Sequence, residues 1–209
     1  MKIDSFIPPE FTSRFFNPFL HYSKPVQKKL IKSYYQFYNT QFSTTTKIRV
    51  LDIFDSNPPA WNQHTIFMRK ALDEAKRAYE IDEVPVGAVI VHQNQIIGRG
   101  HNQVEMLSDP TAHAEMIAVS AACNTLHDKF LNDCTLYVTL EPCPMCAGAL
   151  VWSRISRIVI GSLDAKAGAC GSVFNLASSE KLNHSIEVIH SILEDECADL
   201  LRRFFRKKR

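Results

Sequence analysis

Two short stretches decide how this chain is read: His113-Ala114-Glu115, and downstream of it Pro142-Cys143-Pro144-Met145-Cys146. Each is introduced by a helix-start signal. Asp109-Pro110 precedes the histidine, an aspartate cap with proline at the first helical position, and predicts a helix from Pro110 to about Asn124. Thr135-Leu136-Tyr137-Val138-Thr139-Leu140 is a short apolar strand that runs directly into Glu141-Pro142-Cys143, with a helix continuing through Ala147-Gly148-Ala149-Leu150-Val151-Trp152. Strand followed by helix, with the chemistry at the strand's carboxyl end, is where open α/β sheets place their sites.

The spacing carries chemical meaning. Two cysteines three apart in the first turn of a helix bring both sulfurs to one point, where unpaired backbone N–H groups help hold them as thiolates. With His113 they make a three-ligand set for zinc, leaving the fourth corner of the tetrahedron open to water. Glu115, two residues beyond the histidine and not counted as a ligand, is free to move protons as a general acid and base. Either fragment alone is unspecific, since a lone Cys-x-x-Cys also fits half a zinc ribbon or a redox pair. No second Cys-x-x-Cys exists to complete a four-cysteine site.

Working outward, Met68, Ala71, Leu72, Ala75, Ala78 and Tyr79 recur at helical spacing from Gln63 on, a helix that should end before Val84-Pro85. Val86 to Val91 is a β-branched run, Gln93-Asn94-Gln95 a turn, and Ile96 to Asn102 the returning strand. Gly98 and Gly100 within it point to a bulge or a close backbone approach. Ile158 to Gly161 is a fourth strand, Asp164 to Ser172 a small-residue loop and Ile186 to Ile189 a fifth strand. Leu193, Cys197, Leu200, Leu201 and Phe204 mark one face of a final helix.

The 209 residues suffice for one well-packed domain with a remainder. Hydrophobic residues make up 45% and charged residues 22%, and no apolar run approaches bilayer-spanning length, so no membrane association is expected. Six scattered cysteines without a secretory leader point to a reducing, cytoplasmic setting. The net charge of +2 hides an uneven spread: the first sixty residues hold eight Lys and Arg against four Asp and Glu. Residues 1–60 are rich in Phe, Tyr, Lys, Ser and Thr, lack sustained periodicity, and are expected to form a poorly ordered extension to a domain over 61–209. Their basic and aromatic residues also fit a nucleic-acid or partner surface, or an organellar transit peptide.

The element order, with metal ligands opening the two middle helices, resembles the cytidine deaminase fold, and His-x-Glu with Pro-Cys-x-x-Cys is the signature of zinc nucleobase deaminases. The resemblance implies a three-layer α/β/α architecture around a five-stranded mixed sheet. Within that superfamily the chain is most similar to the bacterial tRNA-specific adenosine deaminases. The likeness runs from about His64 to the C-terminus through Glu83 to Val89, Gly100-His101-Asn102, Asp109 to Glu115, Leu136 to Gly148, Asp164-Ala165-Lys166 and Phe204-Phe205-Arg206. It implies Zn2+ on His113, Cys143 and Cys146, Glu115 as proton shuttle, and the first anticodon adenosine of a tRNA, an arginine tRNA, as substrate. It also implies a homodimer, for which the small-residue cysteine helix with Trp152 offers a packing surface; the alternative is that Trp152 fills its own core.

By the same resemblance Asn102 and the backbone at Ala114 would hold the flipped adenine, and Asp164 would touch the neighbouring nucleotide. The plain alternatives are a strand-ending turn residue for Asn102 and a loop cap for Asp164. Arg202, Arg203, Arg206, Lys207, Lys208 and Arg209 form a basic tail suited to phosphates, though such a run also fits a solvated helix end. Other functions open to this sequence are deamination of a free base or nucleotide, guanine or cytosine, and a non-catalytic zinc module that binds RNA. Glu115 speaks against the last, because a purely structural zinc needs a fourth protein ligand.

Overall fold

The carboxyl ends of three strands of one sheet share one rim, and beside it lie the candidate metal ligands, Glu115, Asn102 and Asp164. The computed structural model describes residues 59–208, with side chains from Gln63 onward. The readings made for residues 1–58 and for Arg209 lie outside the described residues. In chain order the elements are α1 (Pro59–Glu80), β1 (Gly87–His92), β2 (Gln95–His101), α2 (Val104–Leu107), α3 (Ala114–Leu126), β3 (Thr135–Leu140), α4 (Pro144–Trp152), β4 (Arg157–Ser162), β5 (Glu187–Ile189) and α5 (Glu194–Lys207).

The sheet order is β2-β1-β3-β4-β5. β1 is antiparallel to both β2 and β3, whereas β3, β4 and β5 run parallel. This is the expected five-stranded mixed sheet. Because side chains alternate along a strand, each strand feeds two cores. Ala88, Ile90, Leu136, Val138, Ile158 and Ile160 pack with Ala114, Ala118 and Ala122 of α3 and Ala147 and Leu150 of α4. Val89, Val91, Tyr137 and Val159 face the other way, onto Met68, Ala71, Leu72 and Ala75 of α1 and Cys197 and Leu200 of α5. The layers are therefore α1 and α5, the sheet, then α3 and α4.

Both possibilities raised by the β2 glycines occur. The β1/β2 register shifts between Ile90 and Val91. A Cβ on Gly98 would lie 2.4 Å from the Ala118 carbonyl oxygen, and one on Gly100 2.1 Å from that of Ala114. Only glycine lets β2 lie so close to the backbone of α3. That contact sets the height of the helix bearing Glu115 above the sheet.

Two boundaries differ from expectation. The histidine helix starts at Ala114, not Pro110, because Asp109 spends its side chain on a turn. Its Oδ1 accepts from the Thr111 N–H at 2.8 Å and the Thr111 hydroxyl at 2.7 Å. The four-residue α2 is too short to leave a periodic signal in the sequence.

Candidate metal centre and active site

His113 and Cys143 occupy equivalent positions: each is the N-cap residue of its helix, with extended backbone (φ −73°, ψ 153° and φ −72°, ψ 172°), and neither side chain caps its helix. A residue whose side chain is normally spent on the first-turn N–H groups is here left free to coordinate. Pro144 at the first helical position of α4 fixes the turn that brings Cys146 back beside Cys143. Among the described residues, His113, Cys143 and Cys146 form a group whose ligand atoms all lie within 4.8 Å of one another.

The distances test the fit to zinc. Tetrahedral coordination with ordinary Zn–S and Zn–N bonds places sulfur and nitrogen about 3.5 Å apart. His113 Nδ1 lies 3.7 Å from Cys143 Sγ and 3.5 Å from Cys146 Sγ. The donor set is one imidazole and two cysteine sulfurs with no fourth protein ligand among the described residues, the composition of an open site. Hydrogen bonding from the Cys146 thiol, together with His113, draws the Cys143 thiol down to about 3 and makes it a thiolate. The bond to Cys143 holds His113 above its ordinary value.

Glu115 sits in the first turn of α3 and is 4% exposed. Burial pushes its carboxyl up, opposed by its own backbone N–H and by His113 and Cys146. A carboxylate beside a metal site with a raised affinity for protons suits proton transfer near neutral pH.

Asn102 follows the last residue of β2 and is buried, its N–H bonded to the Val86 carbonyl at 3.1 Å. The next residue, Gln103, donates its N–H to Ala112 at 3.0 Å, so Asn102 is held beside the segment that enters His113 and Ala114. Asp164 lies in the loop after β4, where its Oδ1 accepts from the N–H groups of Lys166 at 2.8 Å and Ala167 at 3.3 Å. The loop-cap alternative therefore describes what that oxygen does.

The basic tail is partly engaged. Cys197, Leu200 and Phe204 are buried, and Leu193 and Leu201 pack against the two cores as their spacing predicts. Arg202 pairs with Asp199 at 2.6 Å, while Lys207 and Lys208 reach Asp82 at 3.7 and 2.5 Å. Arg203 and Arg206 contact only helix carbonyls among the described residues, at 3.4 Å. Asp82 lies 126 positions from Lys208 in sequence, beyond the reach of any local pattern.

One site residue carries no motif of its own. Glu141, 2% exposed, follows β3 two positions before Cys143 and accepts hydrogen bonds from Asp164, Cys170 and Ser172. An acidic residue abutting Pro142 at the end of an apolar strand was the available signal.

Comparison with known proteins follows the same outline. Residues 61–162 match the family model for the cytidine and deoxycytidylate deaminase zinc-binding region. The chain is 52% identical to the tRNA-specific adenosine deaminase of Aquifex aeolicus over 68% of its own length and 94% of that protein. The chain belongs to the tRNA-specific adenosine deaminases. A second family member, from Bacillus subtilis, is 48% identical over 70% of this chain and 91% of that protein. A structure solved in studies of A-to-I editing by tRNA:A34 deaminases at the wobble position of transfer RNA superposes with a TM-score of 0.63. It is 43% identical and covers 66% of this chain and 99% of that one. The guanine deaminase of Nitrosomonas europaea, at 22% identity and a TM-score of 0.59 over 78% of this chain and 98% of that one, shares the fold. Membership in the family makes this a zinc-dependent deaminase domain, and its His-Cys-Cys cluster is positioned for the metal.

Proposed function

We propose that the protein converts adenosine to inosine at the first anticodon position of a tRNA, an arginine tRNA, releasing ammonia. The observation that carries this is a three-ligand zinc geometry with a buried, unligated carboxylate in the first turn of α3, in a chain at 52% identity to a tRNA-specific adenosine deaminase. Zinc held by His113, Cys143 and Cys146 supplies Lewis-acid activation of water, lowering its pKa to about 7. Glu115 takes a proton from the attacking water and delivers it to the exocyclic amine. The water oxygen bonds to C6 of the adenine, the bond from C6 to the amine breaks, ammonia leaves and hypoxanthine remains. Asn102 and the Ala114 N–H, one of the first-turn donors without a helical partner, hold the flipped base. Asp164 faces the neighbouring nucleotide, with its second oxygen available. A loop nucleotide suits such a pocket because it is already partly unstacked.

Phosphates meet the tail through Arg202, Arg203 and Arg206, with Lys207, Lys208 and Arg209 completing the patch. The proposed assembly is a cytoplasmic homodimer. Trp152, 78% exposed at the end of α4, is not buried in its own core, and Phe130, Val151, Leu176 and Leu182 line a groove beside it. A Cβ on Gly148 of the same helix would meet nothing within 4 Å, so α4 offers a bare backbone to a second copy. Among the described residues no helix is long and apolar enough to cross a membrane.

The test sets an anticodon stem-loop against free adenine, adenosine, guanine and cytosine under identical conditions. Inosine should form in the stem-loop with little turnover of the small molecules; equal turnover would make this a free-base enzyme.

A further inference from the structure

Glu141 is a buried acid whose partners are neutral donors from one loop. Oε2 accepts the Asp164 N–H at 3.0 Å and the Ser172 hydroxyl, while Oε1 accepts the N–H groups of Cys170 at 2.9 Å and Ser172 at 3.1 Å. A carboxylate satisfied by several N–H and O–H donors needs no cation to remain ionised.

The loop, residues 164–172, is closed tightly over this side chain. A Cβ on Gly168 would lie 2.3 Å from Glu141 Oε2. The backbone on either side of the acid reinforces the closure: Glu141 N–H bonds Ser162 at 2.9 Å, and Ala169 N–H bonds the Pro142 carbonyl at 2.9 Å. One end of the linkage is thus the loop bearing Asp164. The other is the strand end that leads, through Pro142, into Cys143.

We propose that Glu141 is a positioning residue of the deamination site: its carboxylate registers the nucleotide-facing loop 164–172 against the cysteine pair, so that substrate contacts and metal are held in one frame. This rests on the placement of Asp164 against the nucleotide. Glutamine in its place keeps the shape but turns one acceptor into a donor that meets at least one N–H group, so at least one of the bonds is lost.

The test uses the full, zinc-loaded chain and compares wild type with Glu141→Gln and Ser172→Ala. Glu141→Gln should keep its zinc, speed hydrogen exchange at the Asp164, Cys170 and Ser172 amides by about tenfold or more, and raise KM for the anticodon stem-loop about tenfold, the size of a lost charge-assisted bond. Because Glu115 and the ligands are untouched, kcat should stay within about threefold. A purely structural role would instead lower kcat with the folded fraction at constant KM. Wild-type values in either exchange or KM, or loss of zinc, overturn the proposal. Ser172→Ala removes one donor and should shift both readouts in the same direction by less. If Glu141→Gln does not fold, this second variant decides alone, raised values supporting the role and wild-type values refuting it. If wild type does not deaminate the stem-loop, the functional reading fails separately and loop exchange still decides the clasp.

Discussion

Cys146 Sγ and His113 Nδ1 stand 3.5 Å apart although 33 positions separate them in sequence. Two helix ends are thereby committed to one small volume, where the bond to Cys143 and burial push the Cys146 thiol up, so a bound metal is what would let both sulfurs ionise. Removing zinc with a chelator should therefore lower thermal stability, by about 4 kcal/mol relative to protein held at a thousandfold excess of metal over its Kd. His113→Ala should abolish metal binding and show no further loss on chelation. Calorimetry with metal analysis checks both.

Glu115 lies beside the ligands without being one. Glu115→Gln should retain a full complement of zinc while kcat falls by about 10²- to 10⁴-fold, the usual contribution of a positioned general acid and base. A variant that loses its metal would instead make Glu115 part of the coordination shell.

The close approach of β2 to α3 can be probed at Gly100. An added methyl would meet the Ala114 carbonyl oxygen at 2.1 Å, and backbone cannot swing aside as a side chain can. Gly100→Ala should cost about 1–3 kcal/mol in urea denaturation, the range for overpacking. Activity should fall too, since the displaced backbone carries Ala114 and Glu115.

Asp82 holds two lysines of the tail, at 2.5 and 3.7 Å. Asp82→Asn should release them and tighten RNA binding at low salt, with the gain fading as salt rises. Arg203→Ala with Arg206→Ala should weaken binding and flatten the slope of log affinity against log salt by about 0.7 per phosphate contact on a single strand. Fluorescence titration of a labelled stem-loop at several salt concentrations reads both effects.

Both apolar cores and every proposed metal and base contact come from Phe67 and the residues after it. A chain beginning at Pro59 should therefore bind zinc and deaminate the stem-loop at the full-length rate. A folded truncation that binds zinc but has lost activity on RNA would assign residues 1–58 a part in recognition.

What could be read from the sequence was what repeats or what chemistry constrains. The β-branched run Val86 to Val91 and the apolar run Thr135 to Leu140 located the central strands, which are buried on both faces, and Pro-Cys-x-x-Cys located a helix end because few other arrangements bring two sulfurs together. The Asp109-Pro110 pair misled because the same residues that start helices also make turns, and only the tertiary position of Ala112 against Gln103 selects between them. Trp152 could not be assigned to core or surface from its neighbours, since α4 is apolar nearly all round. Glu141 was hidden for a different reason. Its meaning lies in three amides that arrive from beyond β4, and amide groups leave no mark in a residue pattern.

The spans of these contacts order the assembly of the molecule. The β1/β2 hairpin closes over neighbouring residues, but His113 must reach across 30 and 33 positions to the cysteines, and Glu141 across 23 to 31 to its loop. Long closures are entropically late events in folding. Both of these converge on Cys143 and its neighbours, so both depend on long-range closure rather than on a local turn. A chain without the loop after β4 can therefore close the β1/β2 hairpin but not the clasp around Glu141.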